Sequence, residues 1–179
     1  MIRATLLAGF CLAFVAVASA AVPEPDGFKL DEYRGAVPGT VAGATVVHAK
    51  QIQELQRQGG VVLIDVLAAP RRPAGMLPDA PWLPTAHRDV PGSLWWPDIG
   101  RGAISPELDR HLRTRLAEIV AARPGSLIVF YCKADCWLSW NAAKRAAQYG
   151  VKAGWFPEGA DGWEADGLPM QDATPEFLD

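Results

Sequence analysis

Residues 127–148 read LIVFYCKADCWLSWNAAKRAAQ. The first five, Leu127 to Tyr131, form an unbroken apolar run with the length of a buried strand. The Ala- and Trp-rich stretch from Trp137 onward reads as a helix. Between them a short turn carries Cys132 and Cys136. A strand with no polar alternation fits a parallel sheet covered on both faces. Two thiols in such a turn admit four readings: a disulfide, half of a metal site, a nucleophile with its resolving partner, or two small buried residues.

The same grammar extends outward. Residues 42–47 are a short strand. Residues 48–58 are a helix with Ile52 and Leu55 on one face, stopped by Gly59 and Gly60. Residues 61–66, VVLIDV, are a second strand apolar on both faces. Residues 68–89 are a proline-rich loop, and 91–96 lead into another short strand. Ser105 and Pro106 have the N-cap and first-turn chemistry of a helix start, and that helix runs to 122, before Pro124-Gly125. Residues 151–156 are a last strand, and 158–168 a turn and a short helix. Strands alternating with helices predict an α/β fold with a central, mostly parallel sheet flanked by helices on both faces. Such sheets bind ligands at the carboxyl ends of their strands, and the cysteine turn is at such an end.

The termini read differently. Arg3, an apolar core over residues 6–17 and Ala18-Ser19-Ala20 have the pattern of a cleavable signal peptide over residues 1–20. Export to the periplasm is expected, with no membrane span after processing. Cys11 follows Phe10 inside the apolar core, so it is not a lipid attachment site. Residues 21–41 are an irregular N-terminal arm, 42–170 the domain and 171–179 a C-terminal tail. Processing leaves Cys132 and Cys136, an even pair in an oxidising compartment and so a candidate disulfide.

At 179 residues, half of them apolar, the chain has the material for one core and is not disordered. Its net charge of −3, with scattered basic residues, argues against a nucleic-acid partner. Most Lys and Arg residues fall on helix faces as solvated charge.

The turn explains what the thiols can do. Backbone amides of Lys133, Ala134, Asp135, Cys136 and Trp137 can converge on Cys132, and the helix N-terminus favours a thiolate there. Lys133 adds positive charge and Asp135 subtracts it. Cys132 is thus expected to be the reactive thiol and Cys136, buried beside Trp137, the resolving one. His48, His87 and His111 have no ligand-like spacing to the pair, so no metal is expected, and the residues specify no cofactor. Trp137 and Trp140 read as core of the first helical turn. Asp65 ends its strand beside the Cys132 strand, where it orients the turn or caps the chain locally. His87 with Arg71, Arg72 and Arg88 either line the mouth and attract anions or are solvated loop residues.

Four segments resemble rhodanese-like domains in their order: LIDV at 63–66, HRDVPGS at 87–93, VFYC at 129–132 and PEGADGWEADGLP at 157–169. The string CKADCWLSWNAAKR at 132–145 resembles an exported subfamily with a Cys-x-x-Cys-Trp-type motif, associated with catabolism through PQQ-dependent alcohol dehydrogenases. The resemblance implies a rhodanese-like fold over 42–170, a sulfane sulfur carried at Cys132, small sulfur species or protein thiols as partners, and a role beside a PQQ-dependent dehydrogenase or its cytochrome. Asp135, Trp137 and Leu67 stand where relatives often carry Gly, Arg and Arg, which implies weak thiosulfate:cyanide transfer. Two functions follow as expectations. One is persulfide or thiol–disulfide chemistry at Cys132 with Cys136 resolving. The other is a non-catalytic accessory or redox-cofactor-binding module with a structural Cys132–Cys136 disulfide.

Overall fold

The structure is a computed structural model that describes residues 22–77 and 79–178. The leader expected at 1–20 lies outside them. No helix among the described residues is long and apolar enough to cross a membrane.

The chain runs β1 (Thr45–Val46), α1 (Ala49–Arg57), β2 (Val61–Asp65), β3 (Arg88–Asp89), β4 (Leu94–Trp95), α2 (Pro106–Ala122), β5 (Leu127–Tyr131), α3 (Trp137–Gln148), β6 (Ala153–Phe156), α4 (Gly159–Ala165) and β7 (Gln171–Asp172). Five strands form one sheet in the order β1-β6-β5-β2-β4, parallel throughout. The central pair β5 and β2 is buried at every position, as their unbroken apolar runs required.

Side-chain alternation divides the core into two layers. Ile64, Val66, Ile128 and Phe130 face α2 and α3, with Leu112, Leu116 and Trp140 opposite them. Val61, Leu63, Val129 and Tyr131 face the other way, onto Ile52 of α1 and Trp163 of α4. Helices therefore cover both faces. Ser105 caps α2 by accepting the Leu108 amide at 3.1 Å, with Pro106 in the first turn, as the sequence indicated.

The differences are local. The strand expected over 42–47 shortens to Thr45–Val46, because Ala44 N bonds back to Val41 O in a turn. The end of the loop expected over 68–89 contains β3, which pairs antiparallel with β7 from the supposed tail. That tail packs on the body: Glu176 N bonds Trp95 O at 2.8 Å, and Leu178 is buried.

The arm is also well fastened, by polar residues of α3 that sequence reasoning left on a solvated face. Lys144 and Arg145 are only 4% and 3% exposed. Lys144 Nζ donates to the carbonyls of Pro25, Asp26 and Gly27 at 2.6, 2.8 and 3.2 Å. Asn141 accepts the Lys29 amide at 3.0 Å and donates to Lys29 O at 2.8 Å and Gly100 O at 2.9 Å. Arg145 donates to Ile99, Arg101 and Gly102 carbonyls and lies 4.3 Å from the Phe28 ring. The polar residues of NAAKR are buried because an irregular segment offers bare carbonyls, and buried carbonyls need donors.

Candidate active site

Cys132 leaves β5 at its carboxyl end, with its side chain in the α2/α3 layer. Cys136 is the N-cap of α3, in extended conformation at φ −125° and ψ 113°. Asp135 between them takes φ +51°, a left-handed value that Asp tolerates better than most residues.

Two neighbours hold this turn. On one side is α4: Ala160 N bonds Cys132 O at 2.8 Å, and the Asp161 carboxylate takes Lys133 Nζ at 3.1 Å and Ala134 N at 3.2 Å. Gly159, at φ +57°, is required here, because a Cβ on it would lie 2.3 Å from Cys132 O. On the other side is the arm. Gly35 N bonds Asp135 O and Trp137 N bonds Tyr33 O, each at 2.9 Å, so that Arg34 and Cys136 face each other as an antiparallel pair. Lys133 therefore spends its charge on Asp161 rather than on a sulfur, a correction to the expected cradle.

The two cysteines are free thiols, 1% and 2% exposed, and each bears on the other's proton. Cys136 is pulled below the ordinary thiol value, first by the proton Cys132 shares with it and then by the Leu138 and Lys133 amides and the charge of Arg34, against the opposing effect of burial. Cys132 is pushed well above the thiol range by that same shared proton, by burial and by the nearby charge of Asp65. Both shifts favour the charge on Cys136 and the proton on Cys132. The sequence pointed to Cys132 as the reactive thiol, from the helix N-terminus expected at its sulfur, and did not foresee the arm beside Cys136.

Asp65 is fully buried. Its Oδ1 accepts the Leu67 amide at 2.7 Å and its Oδ2 meets His87 Nε2 at 2.7 Å. It is thus a local cap that also holds a histidine. His87 lies against Trp95 with ring centroids 4.3 Å apart. Asp89 is 1% exposed, and one of its carboxyl oxygens has no hydrogen-bond partner among the described residues. Burial, aided by Asp65, pushes its carboxyl up to about 6, against the pull of Gln171 and His87.

His87 and Arg88 line a cleft of about 410 Å³ together with Trp95, Lys133, Asp161 and Glu164. Arg72 lines an adjoining cleft of about 610 Å³, walled by Trp82, Trp95 and Phe177. Arg72 donates to Leu77 O and Ala80 O, and Arg71 pairs with Asp98 while lying over the Phe177 ring. Neither cysteine lines either cleft. Both sulfurs belong to the core layer on the α2/α3 side of the sheet. The structure thus brings Cys132, Cys136 and the 133–137 turn together, joins His87 to Asp65 and, through the cleft they share, to Lys133, and leaves Arg72 in the adjoining cleft. Sequence reasoning missed the arm residues Tyr33, Arg34 and Gly35, and Asp161. The signal for the first group was the polar set Ser139, Asn141, Lys144 and Arg145 inside an otherwise apolar helix; for Asp161 no signal was present.

No protein-family model matches the chain, and no curated protein matches it. Among solved structures it is similar to a full-length protein from Lactobacillus plantarum, at 18% identity over 71% of this chain and 87% of that one, with a TM-score of 0.47. It is similar to a thiosulfate sulfurtransferase from Pseudomonas aeruginosa, at 15% identity over 75% of this chain and 21% of that one, with a TM-score of 0.47. It is similar to a human single-domain sulfurtransferase, at 20% identity over 69% of this chain and 97% of that one, with a TM-score of 0.42.

Proposed function

We propose that this chain is a rhodanese-like sulfur-transfer protein whose chemistry is carried by Cys132 and Cys136 as one dithiol. The observation that carries the reading is the placement of two buried free thiols, Cys132 and Cys136, in one turn between the carboxyl end of the central strand β5 and the start of α3. A thiolate beside a thiol can take a sulfur atom and then release it. In the first step the Cys136 thiolate attacks the outer sulfur of a persulfide-type donor. The donor's S–S bond breaks, its thiolate leaves with the proton held by Cys132, and Cys136 becomes a persulfide. In the second, the Cys132 thiolate attacks Cys136 Sγ, the persulfide bond breaks and hydrosulfide leaves, with the Cys132–Cys136 disulfide left behind. An external dithiol reduces that disulfide and closes the cycle. Buried as they are, both steps require the arm or the turn to open.

The expected leader at 1–20 supports export to the periplasm, and the CKADCWLSWNAAKR string supports a place beside PQQ-dependent alcohol oxidation. Burial of both sulfurs favours a second reading, in which the pair is a structural disulfide of an accessory module.

Sulfur loading and redox potential separate the two. Incubated with a persulfide donor, the reduced Cys132→Ser variant should gain one sulfur atom by mass, on Cys136, and Cys136→Ser none, while the wild type goes on to release hydrosulfide and form the Cys132–Cys136 disulfide. The pair should have a midpoint potential above about −300 mV. No sulfur uptake together with a potential below that value would establish the structural disulfide instead.

A further inference from the structure

Arg34 has no assigned role, and its placement is specific. Gly35 N to Asp135 O and Trp137 N to Tyr33 O are the two hydrogen bonds that flank a non-hydrogen-bonded antiparallel pair, here Arg34 opposite Cys136. In such a pair the two side chains leave the same face of the ribbon, with Cα atoms only about 4.5 Å apart. Cys136 is buried and Arg34 is exposed. The arginine therefore links the neighbourhood of the buried sulfur to the water outside.

The charges around it sharpen the point. Lys133, the cation within the turn, is held by Asp161 at 3.1 Å. Lys29 lies 5.9 Å over the Trp137 ring and within 4.0 Å of Asp31 and Glu32. Among the described residues Arg34 forms no salt bridge, and its charge reaches Cys136. Neither sulfur lines the large clefts, the nearest lining residue being Lys133 of the turn.

We propose that Arg34 is a specificity-determining residue of the thiol site: it guides anionic sulfur donors, persulfides and their carboxylate-bearing kin, onto Cys136 from the arm side of the turn. This rests on the reading that Cys136 reacts as a thiolate. A guanidinium forms paired hydrogen bonds with planar carboxylates and stays charged at any working pH. Beside a partly desolvated nucleophile it raises the local concentration of anions and leaves neutral reagents unaffected. It also lowers the cost of bringing a negative donor to a negative sulfur.

The test compares two alkylating probes of similar size and opposite charge demand. Rates of iodoacetate and iodoacetamide at Cys136 are read by peptide-resolved mass spectrometry on the reduced full chain, so that Cys11 and Cys132 are counted apart. In Arg34→Gln the iodoacetate-to-iodoacetamide ratio should fall about fivefold at low ionic strength, and the gap should close at roughly 0.5 M salt. Arg34→Lys should recover most of the ratio. A ratio unchanged in Arg34→Gln overturns the proposal. So does an equal rise in both rates, which would show that Arg34 only holds the arm down. Neither probe carries sulfane sulfur, so the outcome is independent of whether the pair performs sulfur transfer.

Discussion

Asn141→Ala tests whether the arm is the seal over the thiols. Asn141 is 0% exposed, and its amide makes three hydrogen bonds, two to Lys29 of the arm and one to Gly100. Each is worth about 1 kcal/mol net. Losing the two arm bonds weakens arm closure by about 2 kcal/mol, and with about 1.4 kcal/mol per factor of ten the open population rises roughly 30-fold. The third bond brings the global loss to about 3 kcal/mol, a fall in Tm of about 6–12 °C for a chain of this size. Alanine suits the helix and adds no bulk, so α3 itself should persist. Two readouts are needed. Amide exchange at Gly35, whose N–H bonds Asp135 O, reports the arm, and the iodoacetamide rate at Cys136 reports the sulfur. Both should rise by about the same 30-fold if one opening event governs them. A faster Gly35 amide with an unchanged Cys136 rate would refute the seal and put the opening at the turn or at α4 instead.

Two further outcomes follow from single groups. Asp89 binds its proton more tightly in the folded chain, at about 6 against 3.8. Stability from this group is therefore greatest below pH 4, falls as the pH rises from about 4 to 6, and is level above that. After allowing for solvent screening the loss is roughly 1–2 kcal/mol; denaturant midpoints should show it in the wild type and not in Asp89→Asn, and parallel pH profiles would contradict it. Gly159→Ala sets a Cβ 2.3 Å from a backbone oxygen at φ +57°, so it should cost about 2–4 kcal/mol; a Tm within about 2 °C of wild type would show that the turn yields.

What could be read from the sequence divides along physical lines. The strand–turn–helix around Cys132 was legible because burial on both sheet faces leaves an unmistakable apolar run, and helix starts such as Ser105-Pro106 carry their own signature. Cys132 and Cys136 were visible as a pair for the same reason. The state of the pair was not, since it depends on how the two thiols meet and how deeply they are buried, which the arm from roughly a hundred positions earlier helps to set. Short strands were the weakest: two residues such as Thr45–Val46 or Gln171–Asp172 carry too little pattern to mark a boundary. His87 and Arg72 could be read either as anion-attracting or as solvated loop residues, because charge in a loop is ambiguous until its partners are seen. Their partners proved to be Asp65 and two loop carbonyls.

The arm also sets an order of events. Described residues 22–41 contain no helix or extended strand of their own, and their hold on the body comes from side chains more than a hundred positions later, as with Lys29 and Asn141 at a separation of 112. Closing so long a loop gains nothing until α3 has formed to receive it. Docking of the arm is therefore a late step, and during every earlier one the two sulfurs stand open to whatever oxidant or reductant surrounds the chain. Closure then fixes the redox state they have reached. A buried dithiol of this kind keeps a record of the conditions under which its own chain folded, and each reopening of the arm is an occasion to rewrite it.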